Sequence, residues 1–226
     1  MSDLVPLTGE PLALDLVNTR PLLPEGSADL LATPAGLAGW LSAQAGRLDG
    51  SGVLEAGVDA SRAWEGLTGD DVAAVHAVRD HVAVALGDVR RGERPSAAAL
   101  DGLNEAQRAA PAIRELTWDD RTPGDGEVRA GGEGGDKAGG NAGDRAGAIV
   151  VRPRRSGPLS VRLAAWLAEA AADLLADPGV GRVRECEADD CVMLFLPAHP
   201  RRRWCSAARC GNRARVARYY QRHKAT

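Results

Sequence analysis

All four cysteines of the chain fall within 25 residues, at Cys186, Cys191, Cys205 and Cys210. They form two C-x4-C pairs with thirteen residues between them. A knuckle of that length lets two thiolates bite one ion, and two knuckles complete a tetrahedron. Thiolates are soft ligands, suited to zinc or an iron–sulfur cluster and not to oxygen-seeking cations. Zinc is the expectation: one structural ion, its shell closed by sulfur, with no position left for a catalytic water. Two disulfides or four reduced thiols are the competing readings. Two equal pairs argue for a metal, and disulfides seldom persist in the cytosol, where the chain is expected to reside.

Such a centre needs elements to hold it. Residues 191–196 read as a strand, 197–200 as a turn, and 201–204 as the return toward Cys205. Ser206 is placed to cap a helix from Ala207 to about His223, which puts Cys210 in its first turn, where the positive dipole end favours a thiolate. Knuckle, hairpin and ligand-bearing helix together predict a treble-clef-like module over 182–226. So small a module has little core, and metal binding would supply much of its folding free energy. On the predicted helix Ala208, Val216, Tyr219 and Tyr220 are assigned inward. Arg209, Arg213, Arg215, Arg218 and Arg222 are left on the solvent side.

Charge singles out the same segment. The 226 residues carry a formal −3, yet residues 182–226 hold eleven basic and four acidic groups, a local +7, leaving −10 for the rest. No acid follows His199. A basic tail is the electrostatic footprint of a polyanion, so DNA phosphates are the expected partner of Arg201, Arg202, Arg203 and the helix arginines. Docking of the tail on the chain's own acidic part is the alternative.

The remainder reads as a mostly α domain over 1–178 with a short β-hairpin. Thr33-Pro34, Thr68 with Asp71, Ser96 and Pro158 are helix-start signals ahead of apolar runs at helical spacing. Residues 113–118 and 148–152 read as strands flanking a loop, 119–147, with ten glycines in 29 residues; too few apolar groups are there to offset ordering entropy, so disorder is expected. Residues 11–19 fit a short helix or a strand, with helix preferred. As a helix it groups Asp15, Asn18 and Thr19, either as internal hydrogen-bonding groups or as the wall of a small-molecule site. No run approaches the roughly 18 apolar residues of a membrane span, and no secretory signal is read. No nucleophile–base spacing stands out, and no enzymatic activity is expected.

The motif Cys210-Gly211-Asn212-Arg213, with Arg203-Trp204-Cys205 and the paired cysteines, resembles the CGNR zinc-finger family. The opening Leu14-Asp15-Leu16-Val17-Asn18-Thr19 is similar to that of the mostly helical ABATE domain that precedes such fingers. The resemblance implies a bacterial, stress-induced transcriptional regulator: a zinc-stabilised DNA-binding finger behind a domain that senses a small-molecule effector, with a homodimer as a further expectation. It implies metal ligation by Cys186, Cys191, Cys205 and Cys210, and supporting roles around the metal for Trp204, Gly211 and Asn212. Met193 and Pro197 stand where that family usually carries Trp and Asp. A protein-interaction module without DNA binding is the second functional reading, and a small-molecule enzyme the third.

Overall fold

The structure, a computed structural model, describes residues 8–23, 26–55, 57–119, 147–189 and 191–224. Helix α1 (Leu12–Val17) opens the chain and takes the helical alternative, with Leu12, Ala13, Leu14 and Leu16 buried. A two-residue ladder, β1 (Leu22–Leu23) with β2 (Gly26–Ser27), precedes α2 (Pro34–Ala43) and the single turns α3 (Ala45–Leu48) and α4 (Ala60–Glu65). The long helices α5 (Gly69–Arg90), α6 (Ala97–Ala109) and α7 (Leu159–Ala176) form the main stack, in which α5 and α7 pack on each other and α6 and α1 on both.

The start signals act as their chemistry requires. Thr33 Oγ1 accepts from Gly36 N at 3.1 Å and Ser96 Oγ from Ala99 N at 3.2 Å. Asp71 Oδ2 accepts from Thr68 N at 2.8 Å, completing a capping box at the head of α5. Each cap satisfies a backbone donor that the first turn leaves without an intrahelical partner. Inward spacing then buries Val75, Val82 and Leu86 of α5 against Leu163 and Leu167 of α7, with Trp40 sealing the α2 side.

Strands β3 (Ile113–Asp119) and β4 (Ala148–Arg154) form the expected hairpin, slightly longer than predicted, in antiparallel register from Ile113 opposite Arg154 to Asp119 opposite Ala148. Of the glycine-rich segment expected to be disordered, residues 120–146 lie outside the described set. Among the described residues no helix is long and apolar enough to cross a membrane.

The C-terminal module differs from expectation in two ways. Strand β6 (Leu194–Phe195) does not fold back on residues 201–204; it pairs with β5 (Arg184–Glu185), so the first knuckle caps this hairpin. Apolar residues drive that choice: Leu194 joins the core of the helical part, and Phe195 is fully buried. The second difference concerns the last helix, α8 (Asn212–Lys224), entered through a π-type turn, Ala207–Gly211. Its assigned inward residues face water: Val216, Tyr219 and Tyr220 are 53%, 55% and 63% exposed, and Ala208 is exposed as well. Helical spacing does place one apolar stripe there, but the element this helix packs against most closely is its own entry turn.

Candidate metal centre and basic helix

The four cysteines meet at one point. Their Sγ atoms lie within 4.8 Å of one another, with Cys191–Cys205, Cys205–Cys210 and Cys210–Cys191 separations of 3.9, 3.6 and 3.7 Å. A disulfide needs about 2 Å, so none of these pairs is bonded. Four sulfurs about 2.3 Å from a central zinc, at tetrahedral corners, are spaced about 3.8 Å apart. The pocket of sulfur therefore fits one zinc ion, and no carboxylate or imidazole joins the cluster among the described residues.

Local structure explains the convergence. Cys186 follows β5 and accepts a 3.3 Å bond at sulfur from Cys205 N, tying the first knuckle to the second. Cys186 N donates to Met193 O at 2.9 Å, closing the loop that carries Cys191. Ser206 caps the π-type turn by accepting from Arg209 N at 3.3 Å, and this places Cys210 at the head of the helix as expected. Cys186, Cys210, Met193 and Ala188 are buried, with Trp204 half-buried over them.

The thiols also polarise one another. A hydrogen bond from Cys205 holds the Cys191 thiol down at about 5, while the same bond and burial push Cys205 far upward. Burial raises Cys210 to about 11. Protein groups alone thus favour the thiolate at Cys191 and oppose it at Cys205 and Cys210. A divalent cation removes that opposition, which is the chemistry zinc supplies when bound.

Around the sulfurs the expected supporting residues divide. Trp204 packs against the cluster. Arg213 Nη2 donates to Asp189 O at 2.8 Å and reaches Cys210 Sγ at 3.9 Å, bringing positive charge to the thiolate set. Asn212 neither touches a thiolate nor caps the hairpin: its Nδ2 donates to Ala208 O at 3.0 Å, and its Oδ1 accepts from Arg215. Its side chain thus ties the π-type turn to the first turn of α8. At Gly211 a Cβ would meet its nearest neighbour, Trp204, at an ordinary 3.6 Å.

The expected DNA-contacting arginines divide as well. Arg202 is engaged within the protein: its Cζ lies over the Phe195 ring, 4.5 Å from the centroid, and it donates to Glu10 Oε1 at 2.5 Å and Cys205 O at 2.6 Å. Those bonds make it a clamp of the finger, with its side chain still 30% exposed. Arg203 pairs with Glu187 on the exposed surface. Arg201 is exposed, and its guanidinium makes no bond among the described residues. Arg209, Arg213, Arg215 and Arg222 are exposed on the entry turn and α8; the Arg218 side chain lies outside the described set.

Asp15, Asn18 and Thr19 each hydrogen-bond to protein groups. Asp15 accepts from Gly9 N at 3.0 Å and Arg47 Nη1 at 2.9 Å, and burial raises its pKa against these bonds. Thr19 Oγ1 donates to Leu16 O at 2.6 Å and accepts from Arg79. Asn18 grips the finger, its Nδ2 donating to Leu194 O and its Oδ1 accepting from Leu194 N, both at 2.8 Å. Asp15 and Asn18 do border a cleft against Arg202 and Ser206, but their polar atoms are spent on protein partners.

A helical domain closed by a four-thiolate zinc module is a recognisable class of two-part protein, and comparison with known families gives both parts. The ABATE family, described as "Putative stress-induced transcription regulator", matches residues 10–178, and the CGNR zinc finger matches residues 182–223. The chain belongs to the ABATE family and carries a CGNR zinc finger behind that domain. No curated protein matches it.

Proposed function

We propose that the protein is a cytoplasmic DNA-binding transcription regulator whose zinc finger lays α8 against the phosphate backbone. The observation that carries this reading is α8 itself. Thirteen residues long and devoid of acid, it is exposed over most of the described part of its surface. At 1.5 Å per residue it is about 20 Å long, enough to follow a DNA groove. The acidic part meets the finger elsewhere, through Glu10 with Arg202 and through Arg90 with Glu185. Among the described residues these ion pairs lie away from α8, whose described arginines are exposed.

Phosphate contacts release counterions, so binding to random duplex DNA should fall steeply with salt. Each phosphate no longer neutralised lowers the log–log salt slope by about 1. In full-length, zinc-loaded protein, Arg215→Ala with Arg222→Ala should weaken binding and flatten the slope by about 2. An unchanged slope would take α8 out of the interface. Absent binding by a zinc-loaded, folded protein would favour the interaction-module reading, for which the exposed Val216, Tyr219 and Tyr220 supply an apolar surface.

A further inference from the structure

We propose a second site: a binding cavity for a small oxyanion, a carboxylate or phosphate group on an apolar body, between the β3–β4 hairpin, the 51–55 loop and the first turns of α7. The cavity holds about 250 Å³ and is lined by Arg162, Thr117, Leu54, Pro153 and Gly52 among others. That is just below the usual span of metabolite pockets, which sets an upper limit on ligand size.

Two unmet polar atoms point to what it takes. Arg162 Nε and Thr117 Oγ1 are buried and have no hydrogen-bond partner among the described residues. Buried donors of this kind are normally satisfied, and leaving one unmade costs about 1–3 kcal/mol. Both residues line the same cavity. Both atoms have almost no accessible surface, so a rotation of each side chain has to bring them to the cavity; one oxyanion then accepts from the guanidinium N–H and the hydroxyl together, with charge assistance from the guanidinium.

The other arginines on the wall are already taken, which leaves Arg162 as the anchor. Arg152 pairs with Asp119, Arg154 with Glu115, and Arg155 with Glu169, so their charges are internally balanced. Arg162 has no carboxylate partner among the described residues. Glu55, the remaining acid of the wall, is exposed. Leu54 and Pro153 provide the apolar side against which the body of the ligand would lie.

The 51–55 loop is pinned to the hairpin. Gly52 sits at φ +74°, where a side chain is strained, and a Cβ there would meet Pro153 O at 2.9 Å. The loop thus packs directly on the backbone of β4. Arg155, 4% exposed, fastens it from behind by donating to Ser51 O at 3.0 Å and Ala110 O at 2.8 Å.

This site would be the signal input of the regulator proposed above and rests on that reading for its use, but its occupancy is measured without DNA. Titration calorimetry and thermal melting of full-length, zinc-loaded protein, with butyrate and with inorganic phosphate against chloride at equal ionic strength, test it. Saturable binding and a raised melting temperature with one oxyanion are expected, and which one responds identifies the head group. Arg162→Gln should weaken that binding at least tenfold, and Thr117→Val several-fold. No saturable response to either oxyanion in the millimolar range overturns the proposal, as does unchanged affinity in Arg162→Gln. If Arg162→Gln fails to fold, Thr117→Val decides in its place, and unchanged affinity there overturns the site equally. Failure here leaves the salt-dependent DNA experiment untouched.

Discussion

At the scale of single residues, the buried charge of Arg79 governs a whole corner of the helical part. It is 1% exposed, and its guanidinium meets Asp29 at both oxygens, at 2.7 and 2.5 Å. Burial would raise the Asp29 pKa, but the Arg79 bonds and the Leu31 N–H outweigh it and hold the carboxyl at about 2. An acid whose folded pKa is depressed contributes stability above its unfolded value, near 4, and loses it as pH falls toward the folded one. Asp29 should therefore contribute about 2 kcal/mol that disappears between about pH 4 and 2. Denaturant unfolding checks this: Asp29→Asn should be less stable at neutral pH and show a flatter stability profile over that window. The pair was not legible in the sequence, because an arginine among Val75, Val78 and Val82 carries no mark of an aspartate fifty residues earlier. The cysteines were legible for the opposite reason, since four ligands of one ion must recur at knuckle spacing.

At the scale of elements, the joint between α1 and β6 ties the two family segments together. Asn18 pairs with both main-chain groups of Leu194, as a neighbouring strand would. Truncation leaves a buried N–H and a buried carbonyl unpaired, so Asn18→Ala should cost about 2 kcal/mol or more. Hydrogen exchange at the Leu194 amide should rise in that variant, and an unchanged rate would show that the joint does not depend on this amide. Element starts were readable because caps act locally: Thr33, Ser96 and the Thr68–Asp71 box needed no tertiary information. The partner of the 191–196 strand was not readable, because pairing with β5 is decided by where Leu194 and Phe195 find apolar cover. The apolar stripe of α8 misled for the same reason, spacing being local and burial not.

At the scale of the whole molecule, the finger has few apolar residues of its own beside the sulfurs, so its order should depend on the ion. Elemental analysis should find one zinc per chain. Chelation should expose residues 199–224 to trypsin while the α5–α7 core keeps its helical circular dichroism, and DNA binding should vanish with the metal. A tail that stayed protease-resistant after complete zinc removal would contradict this dependence. The charge asymmetry of the chain was evident from composition, but the sites where its two halves touch were not: Arg202 joined the clamp, and Glu10, with no motif around it, became that arginine's partner.

The grip of Asn18 on Leu194 has an evolutionary corollary. Recognition there runs through peptide groups that every residue but proline possesses, so the socket is indifferent to much of the text it holds. Helical halves and metal-bearing halves from different lineages could be spliced at this seam, provided the incoming segment brings an extended stretch and a modest greasy side chain to the same spot.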